Sequence, residues 1–202
     1  KALNASSSWR VFHTGTGNTK FGYLNSTGDI STISNLNWNV TSTTFVADSS
    51  ISLNTSGRTY VAYLWASGND SASQIFGEDS DEAIIKTGSY TADSSNAYAV
   101  DLGFEPQWLM IKKSSGTGDW EILDNMRGVT YQAADGQFLE ANKTNAEFND
   151  YGAYITSTGF VGSNQSGANG ASYVYIAIRR GPMKEPDTNT DVLGIAAATT
   201  TA

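Results

Sequence analysis

An internal repeat is the feature that most constrains how this chain can fold, because similar segments recur in the same order in both halves. The first copy contains Trp9-Arg-Val-Phe12, Tyr23-Leu24, Thr44-Phe45 and Tyr60-Val-Ala-Tyr-Leu64. The second contains Trp120-Glu-Ile-Leu123, Phe138-Leu139, Gly159-Phe160 and Tyr173-Val-Tyr-Ile-Ala177. Equivalent residues lie 111 to 115 positions apart, and small differences in loop length account for this scatter. The chain is therefore predicted to fold as two related units.

The repeated segments have the character of short β-strands. Residues 58–65 and 171–179 are rich in β-branched and aromatic side chains and alternate in polarity, as strands do. Turn-forming residues fill the stretches between them, for example 14–18 and 163–170. No segment keeps a 3.6-residue apolar period over three turns. These patterns predict an all-β fold of two related β-sandwich-like modules.

The two copies differ in extent. The second has an additional portion, Gly88 to Lys112, before its tryptophan strand, whereas the first begins shortly before Trp9. We therefore expect residues 1–66 to be the C-terminal part of a first β module, incomplete at its N-terminus, in an excerpt of a longer protein. Residues 67–87 are interpreted as a linker, 88–183 as a more complete second module, and 184–202 as a linker or tail to further sequence.

The repeated apolar positions also predict the cores. In the first module we expect buried Trp9, Phe45, Tyr60 and Ala62. In the second we expect buried Trp108, Ile111, Trp120, Phe160, Tyr173 and Tyr175, while the alternation leaves open whether Tyr173 or Val174 faces inward. The tryptophans could stack on sugars, but their recurrence favours core anchors; they are Trp9, Trp38, Trp65, Trp108 and Trp120.

Charge and cysteine content exclude several classes of function. The net charge of −8 opposes binding to nucleic acid and to anionic membranes, and no apolar run reaches the roughly 18 residues of a membrane span. The absence of cysteine excludes disulfides and thiolate chemistry. Seven Asn-x-Ser/Thr sequons could mark a glycoprotein, but chance in a Ser/Thr/Asn-rich chain is the favoured explanation; they begin at Asn4, Asn25, Asn39, Asn54, Asn69, Asn142 and Asn164.

Carboxylates around Trp120 are the first candidates for chemistry. Asp119, Glu121 and Asp124 could include the carboxylate pair of a glycosidase, but the exposed positions of a half-buried strand give the same pattern, which we favour. Asp124 to Gly128 reads as a turn in which Asp124 accepts amide hydrogens and pairs with Arg127. A ligand-facing charged loop is the alternative.

The remaining polar groups form no recognisable catalytic motif. Glu78, Asp79, Asp81 and Glu82 could bind a hard cation such as Ca²⁺, but their spacing does not match an EF-hand and a solvated acidic linker is favoured. His13 is the only histidine and cannot form a zinc site unless carboxylates complete it. We therefore predict no catalytic, cofactor-binding or metal-binding residues, and a protein that is not an enzyme.

Several stretches together resemble a recurrent module of marine and environmental bacteriophage structural proteins, a tail-associated domain. They include Gln74-Ile-Phe-Gly-Glu-Asp79, Ile84 to Tyr90, Val100-Asp-Leu-Gly-Phe-Glu-Pro-Gln-Trp-Leu-Met-Ile-Lys112, Asp124 to Gly128 and Tyr173 to Met183. One departure is Thr91-Ala-Asp-Ser94, where the family continues with Thr-Gly-Asn-Gly. The resemblance implies a component of the virion, made in the host cytoplasm, in the tail or its fibres.

A structural component of a phage appendage, acting through assembly and host-surface contact, is therefore the predicted function. Repeated modules add length and surface without new chemistry; moreover, Arg10 stands where Glu121 does, so a catalytic pair would exist in one copy at most. Expected partners are other copies, with a trimer as first choice, other virion proteins and a host glycan, without nucleic acid or membrane insertion. The alternatives are a carbohydrate-binding, lectin-like module of a host-recognition protein, a capsid decoration protein and, less favoured, a polysaccharide depolymerase.

Overall fold

The computed structural model describes residues 1–41, 43–46, 51–68, 83–129, 137–149, 153–162 and 169–181. The fold is all-β, with 38% strand and 5% helix, and the sheets are antiparallel and sandwich-like. The predicted fold class is thus confirmed. Helix content this low, against about a third in an average globular protein, follows from a sequence rich in turn residues and alternating strands.

The first unit (residues 1–68) contains a small antiparallel sheet. Strands β1 (Arg10–Val11), β2 (Lys20–Tyr23) and β3 (Ser31–Thr32) lie in that order, with a 3-10 turn at Thr14–Thr16 between β1 and β2. An isolated antiparallel bridge joins Ala2 to Tyr60. The short strands leave much of this unit as hydrogen-bonded turns.

The second unit (residues 83–181) is a two-layer sandwich. Its strands are β4 (Ile85–Thr91), β5 (Tyr98–Asp101), β6 (Pro106–Lys113), β7 (Trp120–Asp124), β8 (Gln137–Glu140), β9 (Phe148–Asn149), β10 (Ala153–Thr156), β11 (Gly159–Gly162) and β12 (Ser172–Arg179). One sheet has the order β4-β12-β6-β7-β8-β9 and the other β10-β11-β5. Strand β4 begins inside the segment interpreted as a linker; residues 69–82 and 182–202 lie outside the described residues.

The core of the second unit lies between these two sheets. Ile111, Phe160 and Tyr175 are buried in it as predicted, and Tyr173 packs against it partly buried. Trp120 is also buried, but on the opposite face of the large sheet. The prediction for Trp108 is wrong, because this side chain is only half-buried.

Strand β12 is buried on both faces. Of the two residues whose orientation the sequence left open, Tyr173 faces the sandwich core and Val174 faces the other side. Tyr175 and Ala177 face the sandwich core, whereas Val174 is 1% exposed on the other side. Val174 is paired with Lys112 of β6, and the Lys112 side chain reaches the first unit. The first unit therefore covers the second face of the large sheet.

The predicted core of the first unit is largely wrong. Phe45 is 40% exposed, Ala62 is exposed, and Trp9 and Tyr60 are half-buried. The core consists instead of Phe21, Leu36, Trp38 and Ile51, with Phe12, Tyr23, Ile33 and Leu53 packed against it. Leu36, Trp38 and Ile51 lie outside the aligned segments of the repeat, so the repeat pattern could not identify them.

The repeat itself is present in three dimensions. The turn Thr14–Thr16 corresponds to a turn at Asn125–Arg127, and each ends in a glycine of positive φ, Gly17 or Gly128. Strand β2 corresponds to β8, since Arg10 pairs with Tyr23 as Glu121 pairs with Glu140. The equivalent residues are therefore 111 positions apart before this strand and 117 within it.

This register corrects the sequence alignment of the second strand by two residues. Phe21 is equivalent to Phe138, and both pair with the next strand, at Ser31 and Phe148 respectively. The sequence alignment equated Tyr23 with Phe138 instead. A shift of two keeps every side chain on its own face of a strand, so the alternating pattern alone could not reveal the error.

Candidate contact surface

An asparagine fixes the start of the tryptophan strand in both units. The Trp9 amide donates to Asn25 Oδ1 at 3.0 Å, and the Trp120 amide donates to Asn142 Oδ1 at 2.8 Å. In each case the tryptophan carbonyl accepts from the residue before that asparagine, Leu24 or Ala141. Two of the seven sequons thus have a structural role, and their equivalent positions were a signal that the chance interpretation missed.

The two units dock through groups from different parts of the repeat. The Trp120 indole Nε1 donates to the Tyr23 carbonyl at 2.9 Å. The Gly118 amide donates to the Thr27 carbonyl at 2.9 Å, and the Ile30 amide donates to Ser114 at 3.4 Å. The indole of Trp120 is only 4% exposed, so this interface removes an aromatic side chain from water as well as satisfying backbone groups.

Lys112 is the charged centre of the interface. Its side chain is fully buried, and Nζ donates to the carbonyls of Lys113 at 2.9 Å, Gly118 at 3.0 Å and Thr27 at 3.4 Å. Burial lowers the pKa of this amine, since desolvation disfavours the charged form. The three carbonyls use all three donors of the ammonium group.

His13 caps the first 3-10 turn and also contacts the second unit. Nδ1 accepts from the Gly15 amide at 3.0 Å, so the neutral ring carries its proton on Nε2 and donates to the Tyr175 carbonyl at 3.0 Å. Burial lowers the pKa of His13. Among the described residues, no group of three or more His, Cys, Asp or Glu side chains is arranged to hold a metal ion.

The first unit has a face equivalent to the one that carries Trp120 and Lys112 in the second unit, and this face is not covered by other described residues. We call its residues Lys1, Trp9, Val61, Tyr63 and Trp65 the open face. The Trp9 and Tyr63 rings stack with centroids 5.8 Å apart, and Trp65 follows Tyr63 at 6.2 Å. Tyr63 is 63% exposed and Trp65 is 55% exposed. The core-anchor interpretation of the tryptophans therefore holds for Trp38 and Trp120 but is wrong for Trp65.

The carboxylate Asp119 is engaged in a structural network. It accepts from Asn142 Nδ2 at 2.6 Å and from Lys143 Nζ at 2.9 Å, and Lys143 also pairs with Glu140. Although burial by itself raises the pKa of Asp119, the hydrogen bonds from Asn142 and Lys143 bring it below its usual value. These contacts hold the strand ends of β7 and β8 together.

Asp124 forms the predicted turn. It caps the Asn125–Arg127 turn by accepting from the Arg127 amide at 2.8 Å and pairs with the Arg127 guanidinium, while Gly128 adopts a φ of 90°. Arg127 also contacts Glu147. The prediction of a constrained turn is confirmed, and the turn borders a shallow depression that is lined by Gln107, Trp108, Asp124, Met126, Arg127 and Glu147.

The acidic cluster that the sequence offered as a cation site, Glu78, Asp79, Asp81 and Glu82, is not among the residues that the structure describes. Within the described ranges, no helix is long and apolar enough to cross a membrane.

Comparison with known proteins gives a family and no further relative. No curated protein matches the chain, and no solved structure matches it. One family model matches residues 1–182, a range that includes both copies of the repeat. The chain therefore belongs to the family described as "Domain of unknown function (DUF7483)".

Proposed function

We propose that this chain is a structural module of a bacteriophage virion appendage, a tail or tail fibre, that works through assembly with other copies and other virion proteins. The observation that carries the proposal is the docked repeat. Two related units pack head-to-tail through the buried Trp120 and Lys112, which is how modules extend an appendage without new chemistry. The resemblance of residues 74–183 to phage structural modules supports the same reading.

The contacts of the candidate carboxylates support a structural role. Asp119 is held by Asn142 and Lys143, and Asp124 caps a turn and pairs with Arg127. The position equivalent to Asp124 in the first unit is His13, which caps its own turn in the same way. Asp124 and His13 thus have the same structural role in the two units, and this role accounts for Asp124 without a catalytic function.

Two experiments test this proposal. Antibodies against the chain should label the tail or fibres of virions that carry the sequence in immunoelectron microscopy, and mass spectrometry of purified particles should detect it. Particles carrying Glu121→Gln together with Asp124→Asn should adsorb to the host normally. Absence of the chain from particles contradicts the proposal, as does loss of host-polysaccharide cleavage with adsorption intact, which would identify a depolymerase.

Carbohydrate binding is the second candidate, and the depression beside Trp108 favours it. This surface combines an indole with carboxylates, a guanidinium and an amide, the groups that stack on and hydrogen-bond to sugars. Glu147 is exposed there and pairs with Arg127. A module of this kind would contact a host glycan while the docked repeat provides the scaffold.

A matched pair of variants tests the glycan candidate. Glu147→Gln should weaken binding to the bound member of a panel of bacterial surface polysaccharides about tenfold, since one good charged hydrogen bond contributes roughly that factor. Glu105→Gln removes an equivalent exposed ion pair, with Arg180, and should leave binding unchanged. Equal affinities of both variants, or no binding by the parent chain, would reject this candidate.

A further inference from the structure

The interface between the two units is heterologous, because the two units use different parts of the repeat. The first unit contributes Tyr23, Thr27 and Ile30 from the end of β2 and the segment after it. The second contributes Lys112 from the end of β6, Gly118 from the connection after it, and Trp120 from the start of β7. A heterologous interface leaves one copy of each surface unused at the two ends of a pair.

The unused surface on the first unit is its open face. Lys1 is equivalent to Lys112, since Lys1 exchanges backbone hydrogen bonds with Val61 as Lys112 pairs with Val174. Lys1 Nζ also donates to the Ser7 carbonyl at 2.5 Å, the counterpart of the bond from Lys112 Nζ to Gly118.

The equivalent residues differ mainly in their burial. Trp120, Val174 and Lys112 are at most 4% exposed, whereas Trp9, Val61 and Lys1 are only half-buried. Among the described residues the indole N–H of Trp9 has no acceptor, while that of Trp120 binds Tyr23. The open face therefore has the tryptophan, valine and lysine of a covered face, and no described residue covers it.

The unused covering surface lies on the second unit, and we call residues 140–147 the corner. By the register of β2 and β8, Glu140, Thr144 and Glu147 are equivalent to Tyr23, Thr27 and Ile30. Thr144 and Glu147 are exposed. Nearby, Met126 is 85% exposed at the position equivalent to Gly15, so an apolar side chain is presented to solvent beside the corner.

We propose that the open face of one copy binds the corner of a second copy, in the arrangement by which the first unit already covers the second within the chain. The proposal rests on the assembly function proposed above and names its interface. The Trp9 indole would donate to the Glu140 carbonyl, and Lys1 Nζ and the Ser7 amide would donate to the Thr144 carbonyl. The bond from His13 has no counterpart, since its equivalent Asp124 cannot donate when ionised.

Such an interface makes head-to-tail assemblies. Because the two surfaces are different, each added copy buries one of its two surfaces and exposes the other, and growth stops only if the rotation closes a ring. A ring that closes after three copies is the trimer expected from the sequence, and an interface that does not close gives a filament.

The absence of cysteine from the chain permits a direct test by cross-linking. Ser6 and Thr144 are exposed. Their equivalents are Thr117, which precedes Gly118, and Thr27, whose carbonyl accepts from the Gly118 amide. Ser6→Cys protein mixed with Thr144→Cys protein should form a mixed disulfide dimer of about twice 21.5 kDa. Its rate should exceed at least tenfold that of the control mixture, Ser6→Cys with Ser94→Cys, since Ser94 is exposed in a remote turn.

The outcomes separate this interface from assembly in general. A mixed 6–144 disulfide no faster than the 6–94 control, or a preference for 6–6 and 144–144 pairs, would overturn the interface. If the unmodified chain still sediments as an oligomer, the proposed function survives; a monomer at all concentrations counts against both. If Trp9→Ala abolishes binding to a surface polysaccharide without changing sedimentation, the open face is a glycan surface and the proposal is wrong.

Discussion

At the residue scale, the same side chain has different environments in the two units. Lys112 is a fully buried ammonium that donates to three carbonyls, and Lys1 repeats one of these bonds at a half-buried position. A buried charge is tolerated only where its hydrogen bonds are satisfied. The packing of the neighbouring unit therefore determines whether this lysine is a surface group or part of a core.

Replacing Lys112 should expose this dependence. Lys112→Met keeps most of the side-chain volume but removes the Nζ donor from the Lys113 and Gly118 carbonyls, so we expect a loss of about 2 kcal/mol in the free energy of unfolding. Urea denaturation would measure it. Lys143→Met is the matched control, because the Lys143 side chain is itself 38% exposed, and its replacement should cost less; equal losses would argue against the role of the buried carbonyls.

His13 should make stability depend on pH. Burial holds the folded-state pKa of His13 below that of an exposed histidine, about 6.5, so the unfolded chain takes up a proton first as the pH falls. The contribution of His13 is complete above about 6.5 and is lost as the pH drops from there toward the lowered folded value. Thermal unfolding between pH 7.5 and 5.5 should therefore show a smaller decrease for His13→Gln than for the parent chain, and identical decreases would contradict this assignment.

At the element scale, strands β5 and β11 approach each other closely at Gly159. Gly159 at the start of β11 pairs with Asp101 of β5, and a Cβ added there would lie 1.9 Å from the Val100 carbonyl oxygen. That atom belongs to the backbone of the paired strand and cannot move without breaking the ladder. The pairing of β5 with β11 in the smaller sheet thus requires a residue without a side chain at position 159.

Gly159→Ala should strongly destabilise the sandwich. We expect a loss of about 3 kcal/mol from overpacking against a rigid backbone, seen as a lower denaturation midpoint in guanidinium. Gly116→Ala serves as the control, because its Cβ would meet only the flexible end of Lys113 at 3.4 Å. Similar midpoints for the two variants would show that β11 can shift to accommodate a methyl group.

At the scale of the whole molecule, the two units share one interface and should behave as one folding unit. Trp120, Lys112 and Val174 of the second unit are buried by contact with the first. The family model likewise matches both copies as one range, residues 1–182. Neither unit can leave the other without exposing this apolar and charged surface to water.

A single cooperative unfolding transition is therefore expected. Differential scanning calorimetry of the parent chain should show one peak whose calorimetric and van't Hoff enthalpies agree. Trp120→Ala removes the main aromatic contact and its bond to Tyr23, at a cost of about 3 to 5 kcal/mol, and should split the peak in two. Two peaks in the parent chain would mean that the units fold independently.

The sequence by itself determined the elements of this protein and much of one core. Alternating polarity predicted the all-β class, the recurrence of the Trp9 and Trp120 segments predicted two related units, and Asp124 to Gly128 predicted a capped turn. Each of these predictions rests on local side-chain preferences and on the two-residue period of a strand, both of which are visible in the sequence itself.

Only the tertiary structure decided the strand register and which repeated faces are covered. The shift that pairs Phe21 with Phe138 leaves the alternation unchanged, and the burial of Lys112 depends on the Thr27 carbonyl, 85 residues away in the chain. The equivalent residues Trp9 and Trp120 have similar local sequences but different exposure. Burial is a property of what packs on a surface, and long-range contacts between backbone groups leave no mark in the pattern of side chains.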